Sequence, residues 1–267
     1  MMKPNINLRD HDHEPTDEQL SQLMHAVASE AGVKAGAAYQ TLLDSVRPAP
    51  AHEQEVLDSL RSHYRPAPTM SIIAGPNGSG KTSFGNKLLE FGWVDKDAYI
   101  NPDNLAQDVF GDWNSPSAAL KAAVLAEEQR ERFMQMRESF VFESVFSSPE
   151  KYELVRRAKR AGYFIRLFVI CTSHPAINAA RVARRVMEGG HDVPIPKIIS
   201  RYPKAIANCA AAAAIADRAY VFDNSVDGHE ARLMLRTING QITSSHGPAP
   251  AWVHTIAAAL SEPSKSV

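Results

Sequence analysis

Cysteine is nearly missing from this chain: Cys171 and Cys209 are the only two among 267 residues. That excludes a disulfide framework and a cysteine-rich zinc site, and it suits a reducing compartment. Surplus charge is missing too. Twenty-nine Lys and Arg nearly balance thirty Asp and Glu, so no overall field draws the chain to nucleic acid or to an anionic membrane. Long apolar runs are absent. The longest, around CAAAAAIA, is short and mostly alanine, and reads as a helix of a soluble protein. The polar opening MMKPNINLRDHDHEPTDEQ lacks the apolar centre of a secretory signal. Together these absences predict a cytoplasmic protein with no nucleic-acid or membrane partner.

What is present divides into two parts. In the first quarter, two copies of RPAP, at 47–50 and 65–68, separate three short helical candidates. The first opens on Thr16 with Gln19 three residues on, a capping-box spacing, and then places Leu20, Leu23, Met24 and Val27 on one face. The second carries Tyr39, Leu42, Leu43 and Val46, and the third Val56, Leu57, Leu60 and Tyr64. Residues 1–66 are therefore expected to form a small helical segment, and 67–267 the main domain.

From Thr69 onward strand text alternates with helix text. Strands are expected at MSIIAG, AYIN, SFVFES, YFIRLFVIC and AYVFDNS, with helices between them, and LMLRTINGQITSS carries an Asn239-Gly240 hairpin signal. A closing helix is expected over 249–261. This alternation predicts an α/β fold with a mostly parallel sheet flanked by helices.

The entrance to that domain, IIAGPNGSGKTSFG, contains a complete G-x-x-x-x-G-K-[ST] motif: Gly75, Pro76, Asn77, Gly78, Ser79, Gly80, Lys81, Thr82. Glycines let a backbone wrap phosphates with its N–H groups pointing inward, and the following helix adds its positive end. Lys81 is suited to the β- and γ-phosphates and Thr82 to Mg²⁺. An apolar strand before the motif and a helix after it make a chance glycine turn a poor explanation. The chain is expected to be a P-loop protein that binds ATP and Mg²⁺; no NKxD-like motif favours GTP and no LSGGQ-like signature favours a transporter ATPase.

Two acids follow predicted strands. Asp103, in INPDNLAQDVF, and Glu143, in FVFESVFSS, are placed to face the crevice at the carboxyl edge of a parallel sheet. A carboxylate there can take the proton of an attacking hydroxyl. The plainer alternatives are that Asp103 caps the next helix and that Glu143 is an ordinary loop acid. Further on, Arg181 and Arg185 lie four apart in RVARRVMEGGHDVPIPKIISRYP, on one face of a helix that ends at Gly189-Gly190. Arginine beside a transferring phosphoryl group neutralises its oxygens, whereas a solvated basic face is the ordinary alternative.

AGPNGSGKTS, INPD, FVFES, RVARRV with GGHDVP, RYPKAIAN and VFDNS stand in the order seen in zeta-toxin-like P-loop kinases. Over roughly Met70 to Ser225 the chain resembles that family, and most of all its bacterial branch called predicted ABC-type ATPases. The resemblance implies phosphorylation of the 3′-hydroxyl of the amino sugar in UDP-N-acetylglucosamine. It implies Asp103 as catalytic base, Lys81 and Thr82 as phosphate and metal contacts, and Glu143 as a contact to the sugar nucleotide. Arg185, with Arg181 beside it, matches the first phosphate-contacting arginine. Where the toxins carry a second arginine before xxP, this chain has His191, a weaker clamp, and Arg201 is a candidate replacement. Antitoxins of the family resemble small three-helix proteins, so residues 1–66 are a candidate inhibitor in cis, beside an antitoxin in trans or plain structural decoration. Two other functions remain open at this point: a kinase for another hydroxyl acceptor, such as a nucleoside or an antibiotic, and a nucleotide-binding regulatory module that transfers nothing.

Overall fold

The computed structural model describes residues 15–30, 67–111 and 115–261. The helices expected around 39–46 and 56–64, and the first RPAP, lie outside the described residues. The element order is α1 (Asp17–Glu30), β1 (Thr69–Ala74), α2 (Lys81–Glu90), β2 (Tyr99–Ile100), α3 (Pro102–Phe110), α4 (Pro116–Met136), β3 (Phe140–Ser144), α5 (Pro149–Arg160), β4 (Phe164–Cys171), α6 (Pro175–Met187), α7 (Ile195–Ile215), β5 (Arg218–Asp223), β6 (Arg232–Ile238), β7 (Gln241–Ser245) and α8 (Ala251–Ser261).

One seven-stranded sheet has the order β2-β3-β1-β4-β5-β6-β7. The first five strands pair in parallel and the last two antiparallel. Strands β1 and β4 are apolar almost throughout and buried on both faces, as central parallel strands must be. Asn239 and Gly240, both with positive φ, make the tight turn that joins β6 to β7. Among the described residues no helix is long and apolar enough to cross a membrane.

Helices cover both faces. On one, Met70, Ile72, Phe142, Leu167 and Val221 meet Ala126 of α4, Val155 of α5, Ile206 of α7 and Trp252 of α8. On the other, Ile73, Phe168, Ile170, Tyr220 and Phe222 meet Phe84 and Leu88 of α2 and Leu20, Leu23 and Met24 of α1. The capping box of α1 is formed: Thr16 N donates to Gln19 Oε1 at 2.8 Å and Gln19 N to Thr16 Oγ1 at 3.2 Å. Arg236 of β6 holds its entry, donating to Pro15 O at 2.7 Å and pairing with Asp17. A division of the chain at residue 66 therefore runs through one hydrophobic core, because α1 packs into the main domain.

The parallel order decides where chemistry can occur. The loops after β1, β2, β3 and β4 leave the same edge of the sheet. With β3 and β2 on one side of β1 and β4 on the other, loops from both sides converge on the turn that follows β1. Both cysteines are buried and free, and burial pushes the Cys171 thiol up to about 12, which leaves it inert at neutral pH.

Candidate active site

The turn after β1 is the glycine-rich loop, and it opens α2 without a side-chain cap, Gly80 being the N-cap residue. The first amides of α2 therefore point free into the cleft, the arrangement that receives a phosphate. The loop is braced from behind. Asn178 Nδ2 of α6 donates to Asn77 O at 2.6 Å, and Asn224 Nδ2, just past β5, donates to Ser79 O at 2.8 Å. Gly78 adopts φ +73, and a Cβ there would lie 2.5 Å from the Asn178 carbonyl oxygen. Lys81 is buried and its Nζ donates to Pro76 O at 2.9 Å. Burial lowers its pKa, against the opposing charges of Glu143 and Asp103.

Glu143, at the end of β3, sits against this loop. Thr82 Oγ1 donates to its Oε1 at 2.8 Å, while Asn101 Nδ2 and Tyr99 OH donate to Oε2 at 2.8 and 3.0 Å. Burial pushes its carboxyl up, and Lys81 and the Thr82 hydrogen bond oppose that rise. With its proton directed at Glu143, the Thr82 hydroxyl turns its lone pairs outward. Hard oxygen groups of this kind fit Mg²⁺, so Thr82 would hold the ion and Glu143 would supply the negative charge beside it. Bound there, the ion would neutralise charge on the β- and γ-phosphates.

Asp103 is the second residue of α3. The N-cap of that helix is Asn101, whose Oδ1 accepts from Asp103 N at 2.9 Å, so the plainer reading of Asp103 as a cap does not hold. Its carboxylate is half exposed at the rim of the cleft, 4.0 Å from His191 Nε2. Asn101 thus serves two acids at once: it positions the helix that bears Asp103 and it binds Glu143.

The arginines of α6 reach the same cleft, and each has a partner. Arg181 Nε donates to Asp227 Oδ1 at 2.6 Å, and Arg184 adds a 3.3 Å pair to the other oxygen. Arg185 directs Nε and one terminal nitrogen onto the His191 carbonyl at 3.1 and 2.8 Å. His191 therefore contributes through its backbone as well as its ring, and its buried Nδ1 has no partner among the described residues. Together these residues enclose a cleft of about 700 Å³ that contains Asn77, Gly78, Gly80, Lys81, Thr82, Asp103, Glu143, Arg181, Arg185, His191 and Arg201 in its walls.

Sequence reasoning missed several members of this site. Tyr99 and Asn101 lie in AYIN and INPD, where the local text shows only the end of a strand. Asn178, Asp227, Arg130 and Lys151 carried no local signal, because each is recruited by packing between elements distant in sequence. Asp223 and Asn224, at the end of β5, are engaged inside the fold: Asp223 pairs with Arg232 at 3.2 Å, and Asn224 braces the phosphate loop.

The sheet order, the complete phosphate loop and the two acids that flank one side of it define a P-loop phosphotransferase of the kinase type. The chain belongs to the zeta toxin family, whose model matches residues 53–227. Among solved structures, a chain of the AvrRxo1-ORF1:AvrRxo1-ORF2 complex with sulphate ions is 16% identical with a TM-score of 0.53, over 94% of this chain and 73% of that one. The same complex with ATP gives 16% and 0.52 over the same shares. Both are likenesses of fold. A PezAT toxin-antitoxin structure from Streptococcus pneumoniae is 15% identical with a TM-score of 0.45, over 82% of this chain and 92% of that one, which is too distant to argue from. No curated protein matches by sequence.

Proposed function

We propose that the protein is an ATP- and Mg²⁺-dependent kinase that transfers the γ-phosphate to a hydroxyl of a sugar nucleotide, UDP-N-acetylglucosamine being the acceptor carried over from the family and its 3′-hydroxyl the site. The observation that carries the kinase reading is the meeting of Lys81, Thr82, Glu143 and Asp103 in one cleft. Lys81 and the amides of the phosphate loop would grip the triphosphate. The half-exposed Asp103 would accept the acceptor's proton as its oxygen attacks the γ-phosphorus and the bond to the β-phosphate oxygen breaks. Arg181 and Arg185 each keep one side of the guanidinium on a protein partner, which would fix the rest of the fork towards the moving phosphoryl group.

A regulatory module that transfers nothing would need no carboxylate beside the γ-phosphate, and Asp103 argues against it. The second reading, a kinase for a different hydroxyl acceptor, is favoured by His191 and its carbonyl: the turn that carries an arginine in the toxins here spends its contacts on Arg185. An antitoxin in trans is a candidate partner. The cis-inhibitor reading is weakened for its first helix, since α1 lies under the sheet against α2 and β6 rather than in the cleft.

The test is coupled ATP consumption with purified full-length protein, with and without UDP-N-acetylglucosamine, and mass spectrometry for a sugar nucleotide heavier by one phosphate. Acceptor-dependent turnover with that product supports both levels of the reading. ATP binding with no phosphate on this sugar removes the acceptor and leaves the kinase to a wider hydroxyl screen.

A further inference from the structure

A glycine inside a helix needs a reason, because only proline is worse there. Gly85 lies in the middle of the ten-residue α2, is buried, and is not demanded by the G-x-x-x-x-G-K-[ST] motif. Its backbone is not left-handed, so the reason is space rather than conformation. A Cβ at this position would lie 2.1 Å from the Tyr99 hydroxyl oxygen, with two ring carbons of the same side chain at 2.9 and 3.1 Å. The gap in α2 is the shape of one phenol.

That phenol has a destination. Tyr99 of β2 is in register with Val141 of β3, and side chains alternate along a strand, so Glu143, two residues on, shares its face. The same face is covered by α2. On α2, Thr82 and Gly85 are three residues apart and therefore neighbours along the helix. Thr82 Oγ1 reaches one oxygen of Glu143 and, one turn on, the missing side chain lets Tyr99 OH reach the other at 3.0 Å. Asn101 Nδ2 donates to that second oxygen as well, at 2.8 Å. A buried carboxylate needs donors, but Thr82 and Asn101 already give it one on each oxygen. What the third bond adds is orientation: with Oε2 held from two directions, the carboxylate cannot turn away from Thr82. Neither Tyr99 nor Gly85 lies in the walls of the cleft, so both act from behind Glu143.

We propose that Tyr99 and Gly85 form a positioning pair for Glu143: the glycine admits the hydroxyl, and the hydroxyl fixes the carboxylate in the orientation that sets its charge beside Thr82. Neither residue touches nucleotide, metal or acceptor. The inference deepens the kinase reading and rests on it for the place of Glu143 at the metal side of the phosphate site.

The test uses the full-length chain and two readouts. One is the Mg²⁺-dependent gain in affinity for a non-hydrolysable ATP analogue, measured by calorimetry; the other is steady-state turnover with UDP-N-acetylglucosamine. Tyr99→Phe deletes one oxygen and keeps the ring. It is expected to cut the Mg²⁺-dependent gain about three- to tenfold and kcat about tenfold, with metal-free ATP affinity and the acceptor KM held within about twofold. Its melting temperature should stay within about 4 °C of wild type. Gly85→Ala is expected to reproduce both losses, since it evicts the hydroxyl without removing it. Added to Tyr99→Phe it should cost less than about twofold more, and so should Tyr99→Phe added to Glu143→Gln. Where Gly85→Ala fails to fold, Tyr99→Phe alone and with Glu143→Gln carries the measurement. A packing role predicts lower melting temperatures with a wild-type Mg²⁺ dependence, and that result overturns the pair, as do fully additive losses. The two readings fail separately. A smaller Mg²⁺-dependent gain in both single variants of a chain that phosphorylates nothing keeps the pair and removes the kinase. Turnover with wild-type rate and wild-type Mg²⁺ dependence in both keeps the kinase and removes the pair.

Discussion

Thr82 and Glu143, 61 positions apart, are joined by a 2.8 Å hydrogen bond in which the hydroxyl donates to Oε1. The parallel pairing of β1 with β3 makes the contact, since it brings the end of one strand beside the turn that follows the other. The bond puts a buried carboxylate on the metal side of the phosphate site. Glu143→Gln keeps the shape and removes the charge. Its kcat is expected to fall about 10²- to 10³-fold, with a higher Mg²⁺ requirement and metal-free ATP binding little changed. An Mg²⁺ titration of turnover measures this, and a wild-type Mg²⁺ dependence would place Glu143 with the acceptor instead.

Asp103 is the candidate base, and its helix is capped by Asn101. Asp103→Asn should lower kcat by about 10²- to 10⁴-fold while ATP affinity stays within about twofold. Asn101→Ala should cost about 1 kcal/mol of stability through the cap and lower turnover less than Asp103→Asn does. Rate, calorimetric ATP affinity and melting temperature, taken together, separate base from scaffold. A large loss of ATP affinity in Asp103→Asn would make it a metal or structural residue.

Gly78 is not demanded by the G-x-x-x-x-G-K-[ST] pattern, yet it sits at φ +73 with the Asn178 carbonyl in the space of a Cβ. Gly78→Ala must therefore strain the backbone or push α6 away, at a cost of about 1–3 kcal/mol. ATP affinity is expected to drop at least about tenfold. Calorimetry reads this directly, and near-normal binding would mean that the loop does not need the Asn178 bond for its shape.

Arg181 and Asp227 latch α6 to the loop after β5. Burial is the largest single effect on the Asp227 carboxyl and raises it, but the hydrogen bonds and charges of Arg181 and Arg184 together outweigh it, so its pKa lies below the ordinary aspartate value. A depressed folded value means that the latch contributes fully above the unfolded aspartate pKa of about 3.9 and is lost as pH falls through the lower folded value. Amide protection of α6 is thus expected to be flat from neutral pH down to about 4 and to fall below it. Asp227→Asn should lower that protection at every pH. Hydrogen exchange checks both, and wild-type protection in Asp227→Asn at neutral pH would show that the latch is ornamental.

Leu23 is fully buried between α1 and the sheet, in a cluster with Phe84, Trp93 and Tyr220. Leu23→Ala is expected to destabilise the whole domain by about 2–5 kcal/mol, and to do so without raising the turnover of the folded protein. Thermal melting and specific activity test this. Activation with no loss of stability would restore α1 as an inhibitory element.

Much of this protein was legible from local text. The phosphate loop is a contiguous run of backbone geometry, so Gly75 to Thr82 announced it, and the apolar runs of β1 and β4 announced buried parallel strands. Asn239-Gly240 announced the hairpin and Thr16 with Gln19 the start of α1, because a turn or a cap is settled by residues within one turn of each other. Partnership across the fold was not legible. That Glu143 faces Thr82, that Asn101 joins it to the helix of Asp103, that Asp227 claims Arg181, and that Arg130 rests over the Phe142 ring all depend on strand order. Likewise the apolar face of α1 was visible, but not what it would cover. Local sequence determines which backbone conformations are cheap and which faces must avoid water; the order in which strands pair decides which distant side chains share one cleft.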